Sequence, residues 1–250
     1  MRDGPLGRRV FAEFLGTGLL VAAVVGSGIA AARLSPGDVG LELLENSAAT
    51  VGALVALILA LGPASGAHFN PVVTLADRLF GGLSTLDAGA YIAAQTVGAV
   101  CGSVLANAMF ALPAFEASTK VRSSGPLWLA EAVATFGLLL VIFGVVRSGR
   151  AAVAPFAVGA YIGGAYFFTA STSFANPAVT IGRMFSNTFA GIKPSSAPAF
   201  VAAQIVGAAL AVAAIAILYP HMAASAADVV VPRQPDPNDR SARRGVSARP

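Results

Sequence analysis

Two asparagines stand directly before prolines in closely matching settings. They are His68-Phe69-Asn70-Pro71-Val72-Val73-Thr74 and Phe174-Ala175-Asn176-Pro177-Ala178-Val179-Thr180. An Asn side chain offers an oxygen that caps a helix and an amide that donates hydrogen bonds, and Pro is favoured at the first helical position. Each pair therefore predicts a helix start with a free polar amide beside it. The chemistry on offer is hydrogen bonding to a neutral solute. Glu13 and Glu131 are the other candidates, because each sits in an apolar run where an ionisable residue is a functional candidate by default. Proton coupling in a carrier is one role open to them. No Ser/His/Asp, Cys/His or phosphate-cradling glycine arrangement competes, so no enzyme and no cofactor are expected. His68 has one other histidine in the chain, His221 in a different region, and this argues against a metal site. Cys101 is the only cysteine and lies in an apolar run, which predicts a buried, inert thiol.

The elements that must position these residues are membrane helices. Hydrophobic residues make up 56% of the chain and charged ones 11%, against roughly 25% in a soluble domain. Too few polar groups remain to clothe a water-facing surface, so a lipid bilayer is the expected partner. The net charge of +4 sits at the ends and in short loops, without a basic stripe, and argues against nucleic acid. A span needs about 20 apolar residues, and stretches near 8–33, 46–62, 86–112, 127–147, 151–171 and 197–219 qualify. The first runs past signal-peptide length and is read as a retained helix.

The segments that begin at Asn70 and Asn176 are too short to cross. Read as helices over 70–80 and 176–186, each rises about 15 Å, half the hydrocarbon core. Three landmarks repeat in order. Phe11-Ala12-Glu13 recurs as Leu129-Ala130-Glu131, the Asn-Pro segments recur at an offset of 106, and Ala93-Ala94-Gln95 recurs as Ala202-Ala203-Gln204. The chain thus divides into a first half-repeat (1–112), a connecting loop (113–126), a second half-repeat (127–219) and a Pro-rich basic tail (220–250), read as disordered. Three crossings per half insert the second half upside down, which brings a site to the bilayer midplane. Both short helices then point their positive ends at one another and oppose cations. Eleven Lys and Arg fall on one side and five on the other if both ends are cytoplasmic, and that bias sets the orientation. Trp128, Tyr91 and Tyr219 suit interfacial anchors.

Ser65-Gly66-Ala67-His68-Phe69-Asn70-Pro71-Val72-Val73-Thr74 and Asn176-Pro177-Ala178 resemble the two signature loops of aquaporins and aquaglyceroporins, and the likeness runs from Val10 to Tyr219. The resemblance implies an all-α membrane protein with six transmembrane helices and two re-entrant half-helices in an inverted repeat. It also implies homotetramers in an inner (plasma) membrane, each subunit with its own passive pore for water, glycerol or similar solutes. Asn70, Pro71, Val72, Asn176, Pro177 and Ala178 would form the pore midplane. Glu13, Glu131 and His68 would support the loops. One departure stands out: where the family usually has arginine after the second motif, this chain has Val179. Distances from the motifs place Thr50, Gly164 and Ser173 with it, a wide and uncharged filter without a large aromatic ring. That filter resembles a bacterial branch of aquaglyceroporins associated with arsenic-resistance operons, which implies arsenite or methylated arsenicals as solutes. Arg183 is expected at the outer mouth, in reach of water and headgroups, with a displaced charged filter as its other reading. The rival functions are an ion-coupled secondary carrier using Glu13 and Glu131, and a scaffold with no open pore.

Overall fold

The computed structural model describes residues 5–219. The tail expected to be disordered, like His221, lies outside them. Eight α-helices follow one another: α1 (Leu6–Leu34), α2 (Val39–Ser65), α3 (Pro71–Leu79), α4 (Thr85–Met109), α5 (Gly125–Arg147), α6 (Ala154–Phe168), α7 (Pro177–Gly182) and α8 (Ala197–Leu218). Short 3₁₀ turns precede α6 and α8, and a third, Arg183–Phe185, continues α7. Six of these helices are long and apolar enough to cross a membrane, α6 and α8 together with the turns that precede them. The remaining two, α3 and α7, are the short ones that start at the Asn-Pro pairs.

Local chemistry sets the boundaries. Asp38 and Ser84 cap α2 and α4 by accepting from Leu41 N and Asp87 N. Gly66 ends α2 at φ 92°, a left-handed value suited to glycine. α2 begins seven residues before the predicted span because Glu42 and Glu45 interrupt the apolar run without interrupting the helix. Both carboxylates fold back locally, Glu42 onto Gly37 N and Glu45 onto Ser35 Oγ.

The two halves pack alike. α1 lies against α2 and α4, α5 lies against α6 and α8, and α2 meets α6 across the middle. Glycine lets the long helices come close. A Cβ on Gly98 would fall 2.3 Å from Phe14 O, and one on Gly207 would fall 2.2 Å from Ala132 O, the corresponding place in the second half. At Gly102 the added atom would meet Gly18 O at 2.1 Å. Small residues at such crossings replace the hydrophobic drive that lipid does not supply. Gly102→Ala should therefore lose about 1–3 kcal/mol through overpacking. A drop in Tm of the detergent-solubilised protein is the readout, and an unchanged Tm would mean that α1 and α4 have room to spare.

Large apolar side chains cover the outside, among them Leu19, Leu59, Val97, Leu105, Phe156, Phe167, Ile205 and Leu210. Cys101 belongs to this surface and is exposed, contrary to the expected burial. It stands between Val97 and Leu105 at four-residue steps on α4, one stripe turned away from the bundle. Tyr91 departs the other way. Instead of anchoring at an interface it is fully buried, and its hydroxyl donates to Ser65 O at 2.9 Å. Trp128 is 38% exposed, in keeping with a partly lipid-facing ring.

Candidate pore

The backbone leading into each short helix is non-helical and inside the protein. Ala67 and Phe69 have φ of 49° and 47°, and Ser173 and Ala175 repeat the values 49° and 47°. Such left-handed conformations at residues with a Cβ persist only where the surroundings hold them. The two glutamates do so. Glu13 Oε1 accepts from Ser65 Oγ at 2.6 Å and His68 N at 3.0 Å, and its Oε2 accepts from Phe69 N at 2.7 Å and Gln95 Nε2 at 2.8 Å. Glu131 accepts from Phe174 N and Ala175 N at 2.9 Å each and from Gln204 Nε2 at 2.6 Å. Gln95 and Gln204 also donate to Thr74 Oγ1 and Thr180 Oγ1, both at 2.9 Å, so each glutamine ties a loop to the short helix that follows it. Both carboxylates are fully buried and neither lines the cavity described below.

The asparagines link the two halves. Asn70 Oδ1 caps α3 by accepting from Val72 N at 3.1 Å, and Asn176 Oδ1 accepts from Ala178 N and Val179 N at 3.0 and 3.2 Å. Each Nδ2 then crosses to the opposite loop, from Asn70 to Ala175 O and from Asn176 to Phe69 O, both at 2.8 Å. These reciprocal bonds bring the N-termini of α3 and α7 head to head. An amide nitrogen carries two hydrogens, so one remains on each Asn after the cross-tie.

Both asparagines line a cavity of about 650 Å³, open ends included, that is enclosed by residues of this one chain. Its walls are mostly apolar, with the repeat-related pairs Leu20 and Leu138, Val24 and Ile142, and Val73 and Val179, completed by Leu54 and Ile58 from α2 and Val158 and Ile162 from α6. Polar groups sit along it at Thr50, His68, Asn70, Tyr166, Ser173, Asn176 and Arg183. Pro71, Val72, Pro177 and Ala178 are buried but lie outside the lining, behind the asparagines. His68 lines the cavity, and its Nδ1 is 3.1 Å from Thr74 Oγ1. Its Nε2 is 3.7 Å from Asp77.

The four positions expected to form a filter separate. Thr50, Ser173 and Val179 line the cavity, whereas Gly164 faces outward and is exposed. The inward face of α6 is Val158, Ile162 and Tyr166, and Gly164 lies about 200° around the helix from Ile162. The aromatic-free, uncharged filter is therefore corrected. Tyr166 and Phe174 both line the cavity, and the Tyr166 hydroxyl is 3.0 Å from Thr50 Oγ1. The reading of Arg183 as a mouth residue in water is corrected too. It is 3% exposed, lines the same cavity as Val179, and its guanidinium carbon stands 3.4 Å from the centre of the Phe174 ring. Sequence reasoning missed Tyr166 and Phe174. Phe174 could have been found as the repeat partner of His68, 106 residues on.

Basic groups gather behind Arg183. Arg122 is buried and donates to the carbonyls of Gly191, Ser171 and Phe189. Burial lowers its pKa to about 10. Lys120 Nζ donates to Phe189 O at 2.7 Å, and its pKa falls to about 8 through burial and then repulsion from Arg122 and Arg183. This end of the cavity is electropositive.

Comparison with known proteins gives a consistent picture. The sequence profile described as Major intrinsic protein matches residues 2–173. The chain is 53% identical over 213 residues to Aquaglyceroporin AqpS of Rhizobium meliloti (strain 1021), covering 85% of this chain and 91% of that protein. It is 33% identical over 195 residues to Aquaporin NIP2-1 of Oryza sativa subsp. japonica, which is 74% of this chain and 63% of that one. The solved aquaglyceroporin from Plasmodium falciparum superposes with a TM-score of 0.62 over 87% of this chain and 99% of its own, at 20% identity, a likeness of fold.

Proposed function

The chain belongs to the major intrinsic protein family and is a passive membrane channel of the aquaglyceroporin type, and we propose that it selects small uncharged polyhydroxy solutes, glycerol and water first. The observation that supports this reading is the cavity itself. It has an apolar wall for the carbon side of a polyol, and a line of hydrogen-bonding groups around the tied Asn70 and Asn176 for its hydroxyls. Such a lumen replaces the hydration of a neutral solute with hydrogen bonds from its walls. The facing helix ends at the centre add a barrier to cations. Arsenite, a neutral trihydroxide, has the size and hydrogen-bonding capacity of glycerol, and we include it and methylated arsenicals among the solutes. In this reading Thr50, Ser173 and Val179 are filter residues, while Glu13, Glu131 and His68 support the loops.

The carrier alternative is not favoured. Proton coupling needs a carboxylate that exchanges protons with the solute path, and the Glu13 and Glu131 oxygens are taken up by buried donors. Because one chain encloses the whole cavity, each subunit of a homotetramer would carry its own pore. We place both termini in the cytoplasm and the protein in the inner (plasma) membrane on the Lys and Arg bias. Swelling of proteoliposomes in glycerol, urea and arsenite gradients tests the function. Flux should follow the solute gradient and stay unchanged when the proton gradient is collapsed. Uphill accumulation driven by protons would overturn the channel reading.

A further inference from the structure

We propose that Arg183 is the charged selectivity residue of this pore, displaced by one helical turn from the Val179 position and presented to the cavity beside Thr50 and Tyr166. The inference rests on the channel reading above and names the group that discriminates within it.

The geometry of the guanidinium carries the argument. Arg183 is almost fully buried, yet no carboxylate pairs with it among the described residues. Its Nε donates to Ala190 O, and the group lies over the Phe174 ring. The two terminal nitrogens make no hydrogen bond to the described chain, and neither is sealed away from the cavity. Arg122 shows the contrast, with Nε and both terminal nitrogens all donating to backbone carbonyls. Arg122 is held by the loops and Arg183 is offered to the lumen.

An unpaired buried charge is costly, and a structural role would have closed its donors on carbonyls. The charged groups around it do not neutralise it. Arg122 repels it, Lys120 is depressed partly by it, and Glu131 acts on it only through space from its place under the loop. The repeat also marks the position. Residue 183 corresponds to residue 77, as 179 corresponds to 73 and 176 to 70, and Asp77 is buried near the cavity-lining His68. The related positions thus carry Asp77 and Arg183, and of the two only Arg183 lines the cavity, in the half that contains Val179.

Two duties that one arginine could serve together are thus divided along the wall. Val179 sets width without charge, and Arg183 supplies the positive field and donors to a solute oxygen. Thr50 and Tyr166 are bonded to each other at the same end, so the charged donors there are those of the guanidinium, with the Ser173 hydroxyl as a neutral one on the same wall. The favoured solute is neutral and carries an oxygen acceptor. A cation of the same shape is rejected.

Urea and the guanidinium ion form such a matched pair. Wild-type full-length protein in proteoliposomes should pass urea and exclude guanidinium. Arg183→Gln keeps a donor for Ala190 O and removes the charge, and it should raise guanidinium flux relative to urea about tenfold. Arg183→Lys retains the charge on a slimmer stem, so it should keep the exclusion but shift the ratio of glycerol to urea flux. Fluxes are compared at equal folded protein. A wild-type urea-to-guanidinium ratio in Arg183→Gln would overturn the assignment. If that variant does not fold, a wild-type glycerol-to-urea ratio in Arg183→Lys would do the same. Wild-type protein that passes neither glycerol nor urea would instead overturn the channel reading.

Discussion

Glu131→Leu should leave almost no folded channel in the membrane. The substitution strips the acceptor from Phe174 N, Ala175 N and Gln204 Nε2, all enclosed by protein. Each buried donor left without a partner costs about 1–3 kcal/mol. The loop they stabilise also holds Thr172, Ser173 and Ala175 at positive φ, a strain that needs outside support. A loss of about 3–5 kcal/mol is comparable to the whole stability of a marginal protein. Glu131→Gln keeps one acceptor oxygen and should fall between the wild type and Leu. The measurement is folded yield and Tm in detergent, with glycerol flux normalised to folded protein. Normal flux per folded Glu131→Gln molecule is expected, because the carboxylate acts by holding the loop. A wild-type Tm in the Leu variant would remove the support role.

The parts of this pore that were legible in the sequence are those specified by local chemistry or by long periodic runs. Asn before Pro announces a capped helix wherever it falls, and α3 and α7 begin at Pro71 and Pro177 as that chemistry requires. The doubling of Glu13 with Glu131 marked two equivalent places, and the family resemblance gave them the supporting role. Gln95 and Gln204 stood out only as repeat landmarks, and their bonds to those glutamates came from the structure. What stayed hidden depends on how a helix is rotated and on what lies over it. Gly164 and Ile162 share a helix, and only the packing of α6 against α2 and α5 decides which faces the lumen. Cys101 went astray for the same reason, since lipid and protein interior are equally apolar surroundings. Arg183 was placed on the right face but at the wrong depth. The segment that covers it, from Ser186 to Ile192, returns over the 3₁₀ turn so that Ala190 O accepts from the guanidinium and Ile192 N donates to Arg183 O. No periodicity marks such a segment, so its cover was not readable.

Val179→Arg should cut glycerol flux by at least about tenfold while lowering water flux less, since pore diameter excludes the larger solute first. Val179 is 5% exposed and lines the cavity between Asn176, three residues earlier at the helix cap, and Arg183 one turn beyond. A long side chain at this position fills space that valine leaves open. It also places a second guanidinium on the face that Arg183 already occupies, with Cβ atoms about 5–6 Å apart. The two like charges repel, and with Arg122 behind them neither has a carboxylate to turn to. One or both must extend into the lumen, which narrows it further. The wild-type pore does not depend on residue 179 for a positive charge, so cation exclusion should change little in Val179→Arg, unlike in Arg183→Gln. Stopped-flow swelling of proteoliposomes with equal folded protein, using glycerol and water in parallel, measures both fluxes. Equal glycerol flux in wild type and Val179→Arg would show that the passage is not limited at residue 179. Width would then be set at the level of Tyr166, Phe174 and Arg183.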